Sequence, residues 1–276
     1  MSTPPPDPIA ATPNPDPQAA ATEANSTQTP TPTRVGVVGA AGRMGQRLLA
    51  LTEAHPALAV AGAFDLDTPV SAAAAADCDV LIDFSTPEAL DTTVAACRGG
   101  AAGLVLGTTG LSEHHQHLLR EAEAEVPVLV ASNFSVVVNV LHHLTRQAVE
   151  ILGDGWDFEI LEAHHRYKVD APSGTALALA QTVAEAAGRD PKRAILTTRS
   201  GHDAARQPGD ITVQTLRIGD HAGEHTVFMA APGERLELRH VSTSRDSYAS
   251  GAVRAAAWLA GRPPGRYAIA DVLGIG

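Results

Sequence analysis

A stretch of fifteen residues, 162–176, contains the side chains best suited to catalysis. It holds two adjacent histidines, His164 and His165, followed by Lys168. The lysine stands out because the chain has one other, Lys192, against eighteen arginines. A desolvated ammonium can release its proton, whereas a guanidinium effectively cannot. Proton transfer is therefore the chemistry that we predict for this stretch.

An anion-binding helix start follows the lysine. Ser173 suits an N-cap, the run 176–187 is apolar, and Gly188 suits the position just past a helix. The amides of Gly174 and Thr175 would then lack intrahelical partners and carry the positive end of the helix dipole. An ordinary capped helix explains most such sequences, but the cationic residues just upstream favour a carboxylate or phosphate site.

The histidine pair also has plainer interpretations, because adjacent histidines are usually surface residues or fragments of a metal site. We interpret the other pairs, 114–115 and 142–143, as surface residues. Cys78 and Cys97 show no Cys-x-x-Cys or Cys-x-x-His spacing, so no metal site is predicted. The run 156–161 is typical of a strand, which places His164 and His165 just beyond its end, where functional loops commonly lie.

A glycine-rich turn near the start of the chain favours dinucleotide binding. An apolar strand over 34–38 leads into a Gly-x-x-Gly-x-x-Gly turn over 39–45 and a helix over 46–51. A second strand, 59–64, ends at Asp65, which is placed to accept hydrogen bonds from an adenosine ribose. A chance turn is the alternative, but the flanking strands and the acid favour a nucleotide-binding domain.

The alternation of strands and helices continues and predicts a parallel sheet. Apolar strands are expected over 80–84, 103–106 and 126–130, with helices between them. Such sheets are covered on both faces and bind ligands at the carboxyl ends of their strands. The segments 107–109 and 133–134 occupy such ends, although ordinary turn chemistry would explain either one alone.

The second half of the chain has a different pattern. Five strand-like runs, at 158–161, 194–198, 211–218, 225–230 and 235–241, carry one helix among them. We therefore predict an α/β fold with a Rossmann-like, doubly wound parallel sheet and a smaller α+β domain whose sheet is mostly antiparallel. The first domain is expected to comprise 34–135 and 245–276, including a final helix at about 248–260. The second domain is expected to comprise 136–244.

Composition narrows the class of protein. A net charge of −11 argues against a nucleic-acid partner, and no apolar stretch is long enough to predict a membrane span. Two unpatterned cysteines are typical of a reducing compartment, so we expect a cytoplasmic protein. Residues 1–33 hold nine of the nineteen prolines and resemble neither a signal peptide nor a presequence. That tail is predicted to be disordered.

From about Arg34 to its C-terminus, the chain resembles the 4-hydroxy-tetrahydrodipicolinate reductases of bacterial lysine and diaminopimelate synthesis. The most specific match is Glu-Ala-His-His-Arg-Tyr-Lys-Val-Asp-Ala-Pro-Ser-Gly-Thr-Ala at 162–176. Further matches are Val-Gly-Ala-Ala-Gly-Arg-Met-Gly at 38–45, Gly-Thr-Thr-Gly at 107–110, Asn-Phe-Ser at 133–135, Ser-Arg at 244–245 and Gly-Ala-Val-Arg-Ala-Ala-Ala-Trp-Leu at 251–259.

The resemblance implies a role for each matching residue. His164 would be the catalytic histidine and Lys168 the proton donor, while His165, Lys168, Gly174 and Thr175 would hold the carboxylates of the substrate. The implied contacts to NADH or NADPH are Gly39, Ala40, Ala41, Gly42, Arg43, Met44, Asp65, Gly107, Thr108, Thr109, Ala131, Ser132, Asn133 and Phe134. The implied reaction adds hydride to a small cyclic dicarboxylic imine, with loss of water, in a homotetramer assembled through the second sheet.

The chain departs from the family at two positions. Many members carry an arginine after the ribose-binding acid, where it can pair with a 2′-phosphate, but Leu66 and then Asp67 follow Asp65 here. Two carboxylates would repel a phosphate, so we expect NADH to serve at least as well as NADPH, although Arg43 could partly compensate. Val137 replaces a frequent glycine near the interdomain hinge, and no functional effect is predicted.

Three other functions would explain part of the sequence. Another nicotinamide dehydrogenase for a small amino or keto acid would account for the first domain but not for the block at 162–176. A catalytically silent nucleotide sensor would not require His164, Lys168 and the helix start together. A structural or interaction role would account for the tail alone.

Overall fold

The structure is a computed structural model that describes residues 31–202, 204–244 and 246–275. The predicted disordered tail lies outside the described residues except at its end, where Thr33 already begins the first strand. None of the described helices combines the length and apolar character that crossing a membrane requires.

The first part of the chain alternates strands and helices as predicted. Its elements are β1 (Thr33–Val38), α1 (Arg43–Glu53), β2 (Leu58–Phe64), α2 (Ala72–Ala76), β3 (Val80–Asp83), a 3₁₀ turn (Pro87–Ala89), α3 (Leu90–Gly100), β4 (Gly103–Leu106), α4 (Glu113–Ala122) and β5 (Pro127–Val130).

The second part contributes another sheet before the chain returns to the first. Its elements are α5 (Val136–Leu152), β6 (Asp157–His164), α6 (Gly174–Ala186), α7 (Pro191–Ala194), β7 (Ile195–Leu196), β8 (Ile211–Arg217), β9 (Gly223–Ala231) and β10 (Glu234–Ser242). The returning elements are α8 (Asp246–Leu259), β11 (Gly265–Tyr267) and α9 (Ile269–Leu273).

The first sheet has the strand order β11-β5-β4-β3-β1-β2, and every pairing in it is parallel. Side chains alternate between the two faces along a strand, and helices cover both faces of this sheet. Val80 and Ile82 belong to a core shared with α1 and α8, whereas Leu81 belongs to one shared with α3 and α4. The predicted doubly wound sheet is therefore confirmed. The pairing of β11 with β5, which the sequence pattern did not predict, adds the chain's last strand to this sheet.

The second sheet is mixed, with the order β10-β9-β6-β8-β7. The predicted antiparallel character holds for β6, β9 and β10, whereas β8 pairs in parallel with β6 and β7. The parallel pairs arise because α6 and α7 carry the chain across the sheet between β6 and β8, and a crossover returns the next strand in the same direction. Phe158, Ile160 and Val213 pack against Leu179 of α6 in the core under this sheet.

Most predicted strands differ from the observed ones by one to three residues at an end, and two of these differences follow from neighbouring elements. The strand expected over 156–161 continues to His164, because β8 and β9 flank β6 and pair with it almost to its end. His164 is thus the last residue of a strand, and only His165 lies beyond it. The strand expected over 194–198 shrinks to β7, because α7 includes residue 194.

Candidate active site

The glycine-rich turn after β1 has the geometry that its sequence predicts. Gly39 has a φ of +80°, a conformation that L side chains rarely adopt, and its N–H donates to the carbonyl of Phe64 at the end of β2. A Cβ atom at Gly45 would lie 2.1 Å from the Gly39 carbonyl oxygen. Glycine is therefore required for the close packing of α1 against this loop.

Asp65 binds the same loop through its carboxylate. Its Oδ2 accepts a hydrogen bond of 2.7 Å from the Ala41 N–H, and its Oδ1 accepts one of 2.9 Å from the Leu66 N–H. These backbone donors lower the pKa of Asp65. The carboxylate is consequently ionised and fixed beside the glycine turn.

A cleft of about 440 Å³ opens between this loop and the segment after β3. Its lining includes three predicted cofactor contacts, Gly39, Gly42 and Asp65. Leu66 also lines it and is 86% exposed. The other polar side chains around the cleft are Ser85, Thr86, Glu88, Thr92 and Thr93. An apolar cleft with carboxylates at its edge suits an adenosine better than it suits an additional phosphate.

Asp83 ties together the loops that follow β3 and β4. This carboxyl group is fully buried, and its Oδ1 accepts from the Thr108 hydroxyl at 2.9 Å and from the Ser85 hydroxyl at 2.6 Å. Its Oδ2 is buried and has no hydrogen-bond partner among the described residues. A Cβ at Gly107 would lie 2.3 Å from the ring of Phe84, so the two loops are in close contact. The Thr108 hydroxyl thus already donates its hydrogen bond to a group of the protein, Asp83.

The remaining predicted cofactor contacts line neither this cleft nor the crevice described next. Phe134 is 1% exposed, and its ring lies 5.4 Å from that of Phe84, so its side chain belongs to the first core. Met44 packs against that core, while Ala40 is buried. Exposed positions are Ala41, Arg43 and Thr109, and Gly107 is half-buried.

A crevice of about 260 Å³ joins the end of β5 to the start of α6. Ala131, Ser132 and Asn133 line one side, and Gly174 and Thr175 line the other. The Asn133 side chain donates a hydrogen bond of 3.1 Å to the Thr175 hydroxyl. The structure thus brings together two groups of predicted residues, one for the cofactor and one for an anion, that are 42 positions apart in the chain.

The start of α6 is capped as predicted. The Ser173 hydroxyl accepts from the Ala176 N–H at 3.2 Å, and Gly188 follows the helix with a φ of +64°. Gly174 is exposed, and a Cβ there would meet nothing within 4 Å. The first-turn amides are consequently open to an approaching anion.

His164 contacts a fully buried carboxylate, Glu162. Its Nδ1 lies 2.5 Å from Glu162 Oε2, and the Arg217 guanidinium donates to both oxygens of Glu162 at 2.9 Å. The Ser173 N–H donates to Oε1 at 3.1 Å. Burial by itself would raise the pKa of Glu162, but the hydrogen bonds from His164 and Arg217 outweigh it and lower the pKa to about 2.

Lys168 lies in the loop between β6 and α6 and pairs with Asp170. The ammonium Nζ is 2.8 Å from Asp170 Oδ1, and this hydrogen bond lowers the pKa of Asp170. The Asp170 carbonyl accepts a hydrogen bond of 2.5 Å from Arg217, which links Lys168 to the Glu162–His164 pair. The His165 N–H donates to the carbonyl of His221, while its Nδ1 is buried and has no partner within the part of the chain that the structure describes. Among the described residues that line the 260 Å³ crevice, His164, His165 and Lys168 are absent.

Several site residues were not identified from the sequence. Glu162 is two positions before His164, and this spacing places both side chains on one face of a strand, so the signal was present. Arg217 is 55 residues away from Glu162, and no sequence pattern pointed to it.

The interpretation of His142 as a surface residue is wrong. It lines the crevice, its Nδ1 is 2.9 Å from the Thr182 hydroxyl, and burial lowers its pKa.

Comparisons with known proteins cover nearly all of the described chain. The model of the family described as dihydrodipicolinate reductase, N-terminus, matches residues 33–134, and that of its C-terminus matches 137–273. A 4-hydroxy-tetrahydrodipicolinate reductase of Anaeromyxobacter dehalogenans (strain 2CP-1) is 47% identical over 265 residues, covering 88% of this chain and 98% of its own. The enzyme of that name from Alkalilimnicola ehrlichii is 46% identical over 268 residues, covering 88% and 99%.

Solved structures with low sequence identity share the fold. A dipicolinate-bound dihydrodipicolinate reductase from Paenisporosarcina sp. TG-14 has a TM-score of 0.67 at 21% identity, covering 86% of this chain and 98% of its own. GenD2 from gentamicin A biosynthesis, solved in complex with NAD, has a TM-score of 0.57 at 13% identity, covering 92% and 93%. These two likenesses concern the arrangement of the sheets and helices.

Proposed function

We propose, since this chain belongs to the dihydrodipicolinate reductase family, that it reduces 4-hydroxy-tetrahydrodipicolinate to tetrahydrodipicolinate and water. The reaction belongs to lysine and diaminopimelate biosynthesis, and its hydride comes from a nicotinamide cofactor. The observation that carries the proposal is the crevice in which Asn133, after β5, bonds Thr175 at the start of α6. There the end of the nucleotide-binding sheet meets a group of free amides suited to a carboxylate.

The first sheet fits a dinucleotide. The Gly39–Gly45 contact leaves no room for a side chain between loop and helix, so backbone amides can approach a pyrophosphate. Asp65 is fixed beside that loop for the adenosine ribose. When bound, the nicotinamide supplies hydride to the substrate ring.

The residues of the second sheet would then bind the substrate and move protons. Gly174 and Thr175 offer amides to one carboxylate, and His165 and Lys168 offer positive charge or hydrogen-bond donors to the dianion. Hydride addition leaves negative charge on an adjacent carbon, which a positioned acid quenches. We propose that Lys168 is the acid that donates a proton to this carbon, and that His164 is the second catalytic group. General-acid help of this kind contributes about 10²–10⁴-fold in rate.

A spectrophotometric assay tests the function directly. Loss of NADH or NADPH absorbance is followed while an upstream synthase generates the substrate in the cuvette. Oxidation that depends on the synthase product is the expected result. Oxidation without it would indicate another nicotinamide dehydrogenase. Dinucleotide binding without any oxidation would indicate a nucleotide sensor.

The adenosine end of the cleft favours NADH. Leu66, next to Asp65, is apolar, and Glu88 adds a second carboxylate to the lining. Arg43 is exposed and does not line the cleft. Among the described residues that line the cleft, a 2′-phosphate would therefore meet carboxylates and no lysine or arginine.

The test is the ratio of kcat/KM for NADH to that for NADPH. We expect a ratio of one or more, and the Leu66→Arg variant should shift it toward NADPH by about 10-fold because a cation can pair with the phosphate. A strong NADPH preference in the unaltered protein would contradict the inference.

The two parts of the chain are proposed to have separate tasks. We assign substrate binding and assembly to residues 136–244, and nucleotide binding to 34–135 with 245–276, in a cytoplasmic homotetramer. Assembly is supported by the face of the second sheet that is turned away from α5 and α6, because this face exposes the apolar side chains of Leu216 and Val241. Light scattering of the full chain measures the mass, and a monomer at micromolar concentration would contradict the assembly.

A further inference from the structure

The carboxylate of Glu162 is saturated by donors from three parts of the fold. Its Oε2 lies 2.5 Å from His164 Nδ1 and accepts from Arg217 Nη1 at 2.9 Å. Its Oε1 accepts from the Ser173 N–H at 3.1 Å and from Arg217 Nη2 at 2.9 Å. The side chain is 0% exposed, so water does not compete for these positions. Both oxygens therefore contact Arg217, while Oε2 also contacts His164 and Oε1 also contacts the start of α6.

The contact with Oε2 determines which nitrogen of His164 carries the proton. An ionised carboxylate can accept hydrogen bonds but cannot donate them, so Nδ1 must be the protonated nitrogen of the neutral ring. The other nitrogen, Nε2, is then left as the reactive one. A Cβ at Gly223 would lie 3.1 Å from Nε2, so glycine at that position leaves this atom uncrowded.

The contact with Oε1 sets the position of the anion-binding amides. Ser173 is the N-cap of α6, and the amides of Gly174 and Thr175 follow it immediately. One planar carboxylate thus connects the reactive ring to the start of the helix. A rotation of Glu162 would disturb both contacts together.

We propose that Glu162 is the positioning residue of the active site, which holds His164 in its Nδ1-protonated form and in register with the carboxylate-binding start of α6. This inference rests on the proposed function, because it assumes that His164 acts on the substrate. It also assigns a task to Arg217, which neutralises Glu162 and keeps the carboxylate from rotating.

The charged and titratable groups around His164 are consistent with this assignment. In the described part of the chain, Glu162 is the anion that contacts the ring. From β9, the ring of His225 meets that of His164 edge-on at 5.3 Å, and burial lowers the pKa of His225 to about 3, so it is neutral. Other groups in this neighbourhood are Arg217 from β8, His240 stacked on His225 from β10, and the Lys168–Asp170 pair in the following loop. From α8, the Tyr248 hydroxyl lies 3.8 Å from the position that a Gly223 Cβ would take.

Glutamine at position 162 would keep the size of the side chain but would replace one acceptor oxygen with an NH₂ donor. An amide NH₂ in place of either oxygen would face a donor of Arg217. The less costly orientation keeps the amide oxygen toward the Ser173 N–H and turns the NH₂ toward His164. The ring would then need a lone pair on Nδ1, so its proton would move to Nε2 and the reactive atom would lose its lone pair.

The test compares Glu162→Gln with Glu159→Gln. Glu159 is on the same strand but on its opposite face, where it pairs with Arg199 and Arg206, so its variant also loses a carboxylate from an ion pair. We expect Glu162→Gln to lower kcat by about 10²-fold and to displace the pH–rate profile toward lower pH. The dissociation constant for NADH should stay within about 2-fold of the unaltered value, and Glu159→Gln should retain full activity.

Histidine ¹⁵N NMR of the free protein reads the proton position without any turnover. The unaltered protein should show a far-downfield Nδ1 proton for His164, identified by its loss in His164→Gln. That signal should be absent in Glu162→Gln and present in Glu159→Gln. If Glu162→Gln does not fold, Glu162→Asp replaces it. Aspartate keeps the charge beside Arg217 but is too short to reach both partners, so kcat should again fall.

The outcomes separate this inference from the proposed function. An unaltered protein that lacks reductase activity but shows the Nδ1 signal would refute the proposed function alone. An active protein whose Glu162→Gln variant keeps kcat and its pH profile within about 2-fold would overturn the positioning role. So would an unaltered protein in which the His164 proton resides on Nε2.

Discussion

At the carboxyl end of the first sheet, glycines and backbone hydrogen bonds shape the loops, whereas at the end of β6 the site is assembled from buried ionisable side chains. In the first region the carboxylates hold the loops through hydrogen bonds, since Asp65 accepts from the Ala41 N–H and Asp83 accepts from the Thr108 hydroxyl. In the second region Glu162 orients His164 and the start of α6. One region therefore provides a shaped surface, and the other provides groups whose protonation matters.

Because the two regions are built differently, substitutions in each should affect a different property of the protein. Alterations in the glycine region should change dinucleotide affinity and leave the chemistry of bound molecules intact. Alterations at the end of β6 should change turnover or the response to pH and leave dinucleotide affinity intact. A substitution that changed both properties would contradict this separation.

The largest expected effect is that of Lys168→Ala. Because this lysine is proposed to deliver the proton, turnover should fall by about 10²-fold or more, while the dissociation constant for NADH stays within about 2-fold. Lys168→Arg should be nearly as damaging, because it keeps the charge without an accessible proton. The other lysine, Lys192 on α7, provides the matched control, and Lys192→Ala should have full activity. Unchanged turnover in Lys168→Ala would remove lysine from the mechanism.

The second region should also make stability sensitive to acid. The pKa of buried His225 is about 3 in the folded protein, below its ordinary value of 6.5, so the unfolded chain binds this proton first as the pH falls. The stability from neutral His225 is complete above about pH 6.5 and is lost as the pH falls toward 3. Between pH 7 and 5 the free energy of unfolding should therefore fall by about 2 kcal/mol on account of this residue.

Urea unfolding at the two pH values measures this loss. His225→Gln, which keeps an acceptor near the Ser173 hydroxyl but cannot take up a proton, should show a pH-dependent loss smaller by that amount. His117→Gln, at an exposed position on α4, should behave like the unaltered protein. Equal pH dependence in all three proteins would show that the histidines of the second sheet are not coupled to folding.

The smallest expected effect lies in the first region, at Asp83. Asparagine there would weaken the hydrogen bonds that hold Thr108 and Ser85, so the dissociation constant for NADH should rise by about 10-fold. The kcat at saturating cofactor should remain within about 2-fold. Asp79→Asn, near the opposite end of β3, where the acid pairs with Arg34, should change neither quantity. A loss of kcat in Asp83→Asn with unchanged affinity would contradict the separation of the two regions.

Most of the first sheet could be predicted from the sequence, because its signals are local. The glycines at 39–45 and the acid at the end of β2 are close to each other along the chain, and apolar strands alternate regularly with helices. The helix over 174–186 was also foreseeable from Ser173 and Gly188. The strand β11 was missed because its three residues are too few to form a pattern.

Local patterns in the chain establish which groups are present: the histidine pair, the rare lysine, the capped helix start and the glycine turn. How these groups are connected depends on the folded arrangement of the strands and helices. Glu162 became the centre of a network because β8 lies beside β6 and brings Arg217 to it, and the crevice formed because α6 begins against the end of β5. Hydrogen bonds between residues 42 and 55 positions apart depend on strand pairing and packing, which no local pattern contains.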